Sequence, residues 1–284
     1  HLYGMPMQAS CEAFVINKSL FDAKGVKIPT TMEELYTAAK ALTDTKSGTY
    51  GIGLLTIPVG GRMFTRVYGF TRAFGGNIFE AGKPKLDSQE VVNAMRFYKR
   101  FVTEGLTPKG VDESVLREMF ANGKIAMMID VPVLVNITRE RNQNTYSNIV
   151  VTTHPSKDHI GTALSIAYFF IPKNYKNTEA AWAWLELLAR PEVIDRFMML
   201  TKMTHASKKP VPNELLKENP WMDGYAEQIQ YSEVFTTEGL EAYYTEFRQL
   251  VSPYLEEALV PGKSIEEVLG RAQKDLLNWA SSKK

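Results

Sequence analysis

The side chains with the chemistry to act on a substrate are few in this sequence, and their spacing is the first thing to test. A single cysteine, Cys11, excludes an internal disulfide and any Cys-based metal cluster. It reads as a small buried hydrophobe in preference to a nucleophile or a lipid-attachment site, since no histidine is placed with it and no basic or long apolar leader precedes it. The histidines are His1, His154, His159 and His205. His154 and His159 stand five apart across a Pro-Ser-Lys turn, where a solvated loop is favoured over a metal pair. Adjacent carboxylates such as Glu33-Glu34, Glu256-Glu257 and Glu266-Glu267 fall on helical stretches, where they cap or solvate.

The phosphate and nucleophile motifs each fail at a named residue. Gly51-Ile52-Gly53 opens like a dinucleotide fingerprint, but Thr56 holds the third glycine's place. Gly82-Lys83 lacks its first glycine, since the position is Asn77, and Pro84 follows in place of Ser or Thr. Gly262-Lys263-Ser264 fails at Glu257. Neither Gly-x-Ser-x-Gly nor His-Glu-x-x-His occurs. The sequence therefore names no catalytic residue, no metal ligand and no cofactor.

The elements that must position any site are easier to read. Short apolar runs alternate with amphipathic helical stretches, the pattern of an α/β protein. Thr31-Met32-Glu33-Glu34 has the capping-box form, followed by an inward face of Leu35, Ala38, Ala39 and Leu42. Asp87 is the expected cap of a helix with the stripe Val91, Met95, Tyr98 and Val102, closing at Gly105. A third helix is expected over about 112–122, ending at Gly123. Asn177 caps another, and Pro191 starts or breaks the next. Ser264 with Glu267 forms a second capping box before Ile265, Val268, Leu269, Ala272, Leu276 and Trp279. Strands are expected over 13–17, 50–55, 124–129, 148–153 and 164–171, and their near-continuous apolar character suggests cover on both sides. Trp182, Trp184 and Trp279 are expected in the core, and Trp221 stays open between core and site.

Length and charge bound the rest. At 284 residues the chain is long enough for about two domains of roughly 100–200 residues. The 33 basic and 32 acidic residues leave a formal charge of +1, which gives a nucleic-acid partner no electrostatic footing. The apolar runs are far shorter than the ~20 residues that span a bilayer.

Several motifs, in order along nearly the whole chain, carry a resemblance. They are Tyr3-Gly4-Met5-Pro6 with Ala13-Phe14-Val15-Ile16-Asn17-Lys18; Pro29-Thr30-Thr31-Met32-Glu33-Glu34-Leu35; and Phe74-Gly75-Gly76 with Ala81-Gly82-Lys83-Pro84. The most specific is Phe120-Ala121-Asn122-Gly123-Lys124-Ile125-Ala126-Met127-Met128-Ile129. Ile171-Pro172-Lys173-Asn174, Glu179-Ala180-Ala181-Trp182 and Gly262-Lys263-Ser264-Ile265-Glu266-Glu267 complete the series. Together they resemble the extracellular solute-binding proteins of bacterial ABC transporters, in the carbohydrate-binding group that includes maltose-binding protein.

The resemblance implies a periplasmic binding protein-like fold of type II, with two α/β lobes, a hinge and an interlobe cleft. It implies a carbohydrate or related polar solute as ligand, permease subunits as partners, a monomer, and an extracytoplasmic location, periplasmic or lipid-anchored upstream of this chain. It assigns residues 1–10 to the hinge and the end of the N-terminal lobe, 11–160 to the first part of the C-terminal lobe, 161–208 to the returning N-terminal segment, and 209–284 to the second part of the C-terminal lobe. An upstream segment is expected, and the strand from Leu164 is then expected to lack partners. An enzyme acting on a small polar solute, or a ligand-sensing interaction module, are the alternatives.

The ligand contacts that the resemblance suggests are Gln8, Ser10 and Glu12 near the first crossing, and Arg62, Phe64 and Tyr68 in a ligand loop that begins at Gly60. Asp130, Tyr168 and His205 complete the set. A sugar site needs flat rings for C–H faces and planar charged groups for hydroxyls, which these residue types supply. Where the family commonly continues Gly-Pro-Trp after its central strand, this chain reads Asp130-Val131-Pro132-Val133. The absent tryptophan points away from a maltodextrin-type ligand.

Overall fold

Two apolar runs without a polar break, 13–17 and 125–129, have nowhere to go but the middle of a covered sheet. The structure, a computed structural model, describes residues 4–57, 61–156, 161–207 and 209–283. Its strands in chain order are β1 (Met5–Cys11), β2 (Ala13–Asn17), β3 (Tyr50–Gly53), β4 (Phe79–Glu80), β5 (Lys83–Pro84), β6 (Ile125–Asp130), β7 (Ile149–Thr152) and β8 (Leu164–Phe169). A mixed sheet has the order β3-β6-β2-β7, with β3 parallel to β6 and both β6 and β7 antiparallel to β2. Every residue of β2 and β6 is buried. Helix Met32–Leu42 packs so closely on β3 that a Cβ on Gly51 would meet the Ala39 carbonyl oxygen at 2.0 Å. The Gly51-Ile52-Gly53 sequence thus serves helix–sheet contact, not phosphate.

β1 and β8 form a separate antiparallel pair, with Ser10 opposite Ser165 and Gln8 opposite Ala167. β1 was not expected from the sequence, and it gives β8 the partner that β8 was expected to lack. β8 is also not covered on both sides: Ser165, Ala167 and Tyr168 are exposed. Only Glu12 separates the end of β1 from the start of β2. The chain returns at Leu164, whose N–H donates to the Glu233 carbonyl at 2.9 Å.

Helices Arg62–Ala73, Gln89–Thr103, Tyr244–Leu259 and Ile265–Ser282 pack together beside the larger sheet. Their interior is aromatic: Phe64, Phe235 and Phe247 meet with ring centroids 4.9–6.0 Å apart. Each such side chain, fully buried, contributes about 1.5–3 kcal/mol. The inward faces read from sequence for 32–42 and 265–282 are the buried ones, with Trp279 packed at the edge and its indole N–H on Glu246 at 2.9 Å.

Several local expectations are corrected. Ser88, not Asp87, caps helix Gln89–Thr103, accepting from the Val91 N–H. Ser264 accepts from the Glu267 N–H, but its hydroxyl donates to Glu266, so the second box is one-sided. Trp182 and Trp184 are 56% and 57% exposed, on a helix (Thr178–Leu188) of which only Leu185 is buried. Trp221 is buried, its indole N–H directed at the Tyr146 hydroxyl at 3.4 Å. His154 is fully buried, edge-on to Phe70, and not in a solvated loop, while His159 lies outside the described residues. Among the described residues no helix is long and apolar enough to cross a membrane, and no group of three potential ligands gathers as a metal site.

Candidate functional site

The antiparallel pairing of β2 with β6 sets Ala13 opposite Asp130, which brings Glu12 and Asp130 to the same end of the larger sheet. Two helices deliver arginines and a carboxylate to that end. On Arg62–Ala73 the spacing i, i+4 puts Arg62 and Arg66 on one face, and on Glu113–Ala121 it does the same for Glu113 and Arg117. The result is an ionic cluster that is mostly buried. Arg66 pairs with Glu12, with Glu113 at 2.8 Å and with Asp130 at 3.5 Å. Arg117 reaches Asp130 at 2.6 Å and Glu113 at 3.1 Å, and Arg62 also pairs with Glu113.

Burial governs how these groups hold their charge. Desolvation pushes the Glu12 carboxyl above the usual range, against the pull of Arg66. Desolvation also works against the Arg66 guanidinium, but Glu12, Asp130 and Glu113 outweigh it and raise Arg66 further. Arg117 behaves likewise, with its bonds to Asp130 overcoming burial. Such clusters are costly to assemble and costlier to break, because each removed partner strands a charge in low dielectric.

Above the cluster lies a cavity of ≈ 540 Å³. Its floor is Glu12, Arg66, Glu113 and Arg117, and one wall is Ser10 with Leu164, Ser165 and Ile166 of the small sheet. Phe235, Tyr244 and Arg248 form the facing wall. The Arg248 guanidinium donates to the Gly61 carbonyl at 2.9 Å and to the Tyr244 hydroxyl at 3.3 Å, and it stands 5.3 Å from the Tyr244 ring centre. The volume suits a small polar molecule, and the lining combines apolar surface with a few fixed polar groups.

The structure sorts the residues expected from sequence. Ser10, Glu12 and Arg62 line the cavity, and Asp130 lies under its floor, fully buried. Phe64 and Tyr68 are corrected: they are core rings, 1% and 2% exposed, stacked on each other and edge-on to Phe235. Burial pushes the Tyr68 hydroxyl up to about 12. Tyr168 is exposed on β8, opposite Pro6 and outside the lining. Gln8 and His205 bridge each other along β1, away from the cavity, with the His205 ring edge-on to Phe197 at 5.8 Å. Arg66, Glu113, Arg117, Phe235, Tyr244 and Arg248 were missed. The paired i, i+4 charges at 62/66 and 113/117 were the signal available for four of the charged residues at the site.

A mixed sheet beside a second, smaller sheet, flanked by helices, is an α/β architecture of the periplasmic binding protein kind. The model of the bacterial extracellular solute-binding protein family matches residues 3–194, and the chain belongs to that family. A binding protein of Brucella abortus (strain 2308) is 31% identical over 196 residues, which cover 66% of this chain and 46% of the relative. The chain therefore spans about half the length of the curated relatives it matches. Among solved structures, an ABC transporter solute-binding protein from Thermotoga lettingae TMO bound with α-D-tagatose superposes with a TM-score of 0.81 at 22% identity, over 98% of this chain and 72% of that one. One from Agrobacterium radiobacter K84 in complex with ribitol gives 0.80 at 23% identity, with the same coverage. A Listeria monocytogenes protein in complex with cycloalternan gives 0.81 at 20%, again over 98% and 72%. At these identities the solved structures establish the fold.

Proposed function

We propose that the protein is the receptor of an ABC importer, taking a carbohydrate or related polar solute into the cavity between its sheets and presenting it to membrane permease subunits outside the cytoplasm. The observation that carries this is the cavity itself: hydroxyls of the small sheet, Ser10 and Ser165, and charged groups from the helices beside the larger sheet converge on a space of sugar size. Movement of one sheet relative to the other then changes the site, which is what a permease needs in order to read occupancy. The tagatose, ribitol and cycloalternan held by the fold's relatives support the ligand class. The carboxylates at the floor are engaged with arginines, an arrangement suited to holding a solute and not to shuttling protons.

The same reading divides the chain into lobes. Residues 11–160 and 209–284 carry the larger sheet and its helices, 161–208 with β1 make the smaller body, and the crossings at Glu12 and at 161–164 act as hinge strands. The receptor acts as a monomer, in the periplasm or at the cell surface.

A thermal-shift screen against mono- and oligosaccharides, polyols and sugar acids tests the reading. A ligand at about 100 times its Kd raises stability by about 2.7 kcal/mol, a shift of several degrees. A hit recovered chemically unchanged supports a receptor. Conversion of the hit would favour an enzyme, and silence across the panel would remove the reading.

A further inference from the structure

We propose that Glu12 ties solute recognition to movement between the two sheets: a hydroxyl of the solute donates to the carboxylate oxygen that the protein itself leaves free. This rests on the receptor reading and names the residue and the ligand group that serve it. Both oxygens of Glu113 and both of Asp130 meet arginines. Glu12 differs. Its Oε1 pairs with Arg66, while its Oε2 is enclosed and has no hydrogen-bond partner among the described residues. The side chain is 8% exposed and lines the cavity. A buried acceptor left open costs free energy until a donor reaches it.

The position of Glu12 in the chain supplies the second observation. It is the single residue between the end of β1 and the start of β2, so a shift of one sheet against the other carries its carboxylate and opens the enclosed oxygen to the cavity. A hydroxyl that then pairs with Oε2 stabilises the shifted arrangement and not the empty one, which is the differential contact a population shift needs. An ammonium donor would be set against the Arg66 guanidinium that holds Oε1. Ser10, two residues back, and Ser165, its partner across the strand pair, present hydroxyls to the same cavity, so a frame with hydroxyls on neighbouring carbons serves all three groups. The titratable and charged groups around Glu12 are Arg66, Glu113, Arg117, Asp130, Tyr98 and Cys11. Burial holds the Glu12 carboxyl above its usual range, and a hydroxyl donated to it favours the ionised form.

The test is calorimetric titration of the purified protein with D-tagatose, ribitol, glucose and galactose, and with any uncharged hit of the thermal-shift screen, in buffers of different ionisation enthalpy. None of these probes titrates. At least one should bind with release of protons, and more tightly as pH rises between about 5 and 8. Glu12→Gln should weaken that probe roughly tenfold or more at the upper pH, abolish the proton release and flatten the pH profile. Damage to packing alone would lower affinity and keep the slope. If Glu12→Gln does not fold, Glu12→Asp keeps a charge for Arg66, draws the free oxygen back by one methylene, and should lose both affinity and proton release. Hydrogen exchange over residues 10–14 should change on saturation of the unaltered protein and not of the variant. A probe that binds without proton release, or without that change in exchange, would overturn the inference and leave the receptor reading standing. A folded protein that binds none of them, together with a silent screen, would overturn both.

Discussion

Arg117 grips Asp130 with two parallel hydrogen bonds, Nε to Oδ2 at 2.8 Å and Nη2 to Oδ1 at 2.6 Å. Asp130 is fully buried at the end of β6, and its Oδ1 also accepts from the Val131 N–H at 2.7 Å. The pair ties helix Glu113–Ala121 to the central sheet directly under the cavity. Asp130→Ala should therefore cost about 3–5 kcal/mol in urea unfolding, because Arg117 and Arg66 both lose a buried counter-charge. Combining Asp130→Ala with Arg117→Met should cost clearly less than the two single changes together. A loss below about 1 kcal/mol for Asp130→Ala would mean that solvent screens the pair.

Where an element's evidence is local, the sequence was enough. The Thr31 capping box, the buried strands β2 and β6 and the inward face of the last helix each follow from residues within one or two turns of one another. β1 was not legible because its residues up to Ser10 are half-buried and neither alternate nor run apolar, so only β8 shows it to be a strand. The exposure of Trp182 and Trp184 was hidden for the opposite reason: composition says core, and nothing local says which surface covers a ring. In the site, Glu12, Arg62 and Asp130 were found one at a time. Their partners were not, because Arg66 lies 54 residues from Glu12 and 64 from Asp130, and Arg248 comes from a helix later still. Phe64 and Tyr68 were placed in the ligand loop, but the helix that follows Gly61 turns both rings into the aromatic core.

Cys11 couples the end of β1 to alkaline pH. Its thiol is 1% exposed and directed at the Tyr225 carbonyl, and burial pushes it from an ordinary value of 9.0 to about 12. The folded value lies above the unfolded one, so the stability it confers is complete below pH 9 and is lost as pH rises through about 12. Each unit of that interval is worth about 1.4 kcal/mol. Between pH 8 and 10.5 the native protein should therefore lose on the order of 2 kcal/mol more than Cys11→Ala, measured by equilibrium denaturation. Equal losses in the two proteins would show that the thiol ionises in place. Iodoacetamide should label Cys11 in denaturant and leave it untouched in the folded protein at pH 9.

The two helix caps differ in kind, and their removal should differ in size. Thr31 accepts from the Glu34 N–H at 3.2 Å, while the Glu34 carboxylate accepts from the N–H groups of Thr30 and Thr31 at 2.8 and 3.2 Å. Those backbone bonds hold the Glu34 carboxyl below its usual range. Thr31→Ala breaks one half of a reciprocal arrangement and should cost about 1 kcal/mol or more. Ser264→Ala removes a single backbone bond and should cost less. Thermal melts of the two variants side by side decide it, and the reverse order would mean that the box at Thr31 is held by Glu34 alone.

One substitution made at two helical glycines should move stability in opposite directions. Gly224 lies in helix Met222–Ile229, where the helix crosses β7, and a Cβ there would come within 2.3 Å of the Val151 carbonyl oxygen. That neighbour is backbone of the sheet and has no rotamer to adopt, so helix and strand must part or the sheet must bend. Gly224→Ala should cost about 1–3 kcal/mol. Gly270 lies within helix Ile265–Ser282, and a Cβ there would meet nothing within 4 Å. With no contact to lose, only chain entropy changes, and Gly270→Ala should add about 0.5–1 kcal/mol. Equilibrium unfolding of both variants measures the pair of signs. A neutral Gly224→Ala would mean that this helix rides on the sheet with slack.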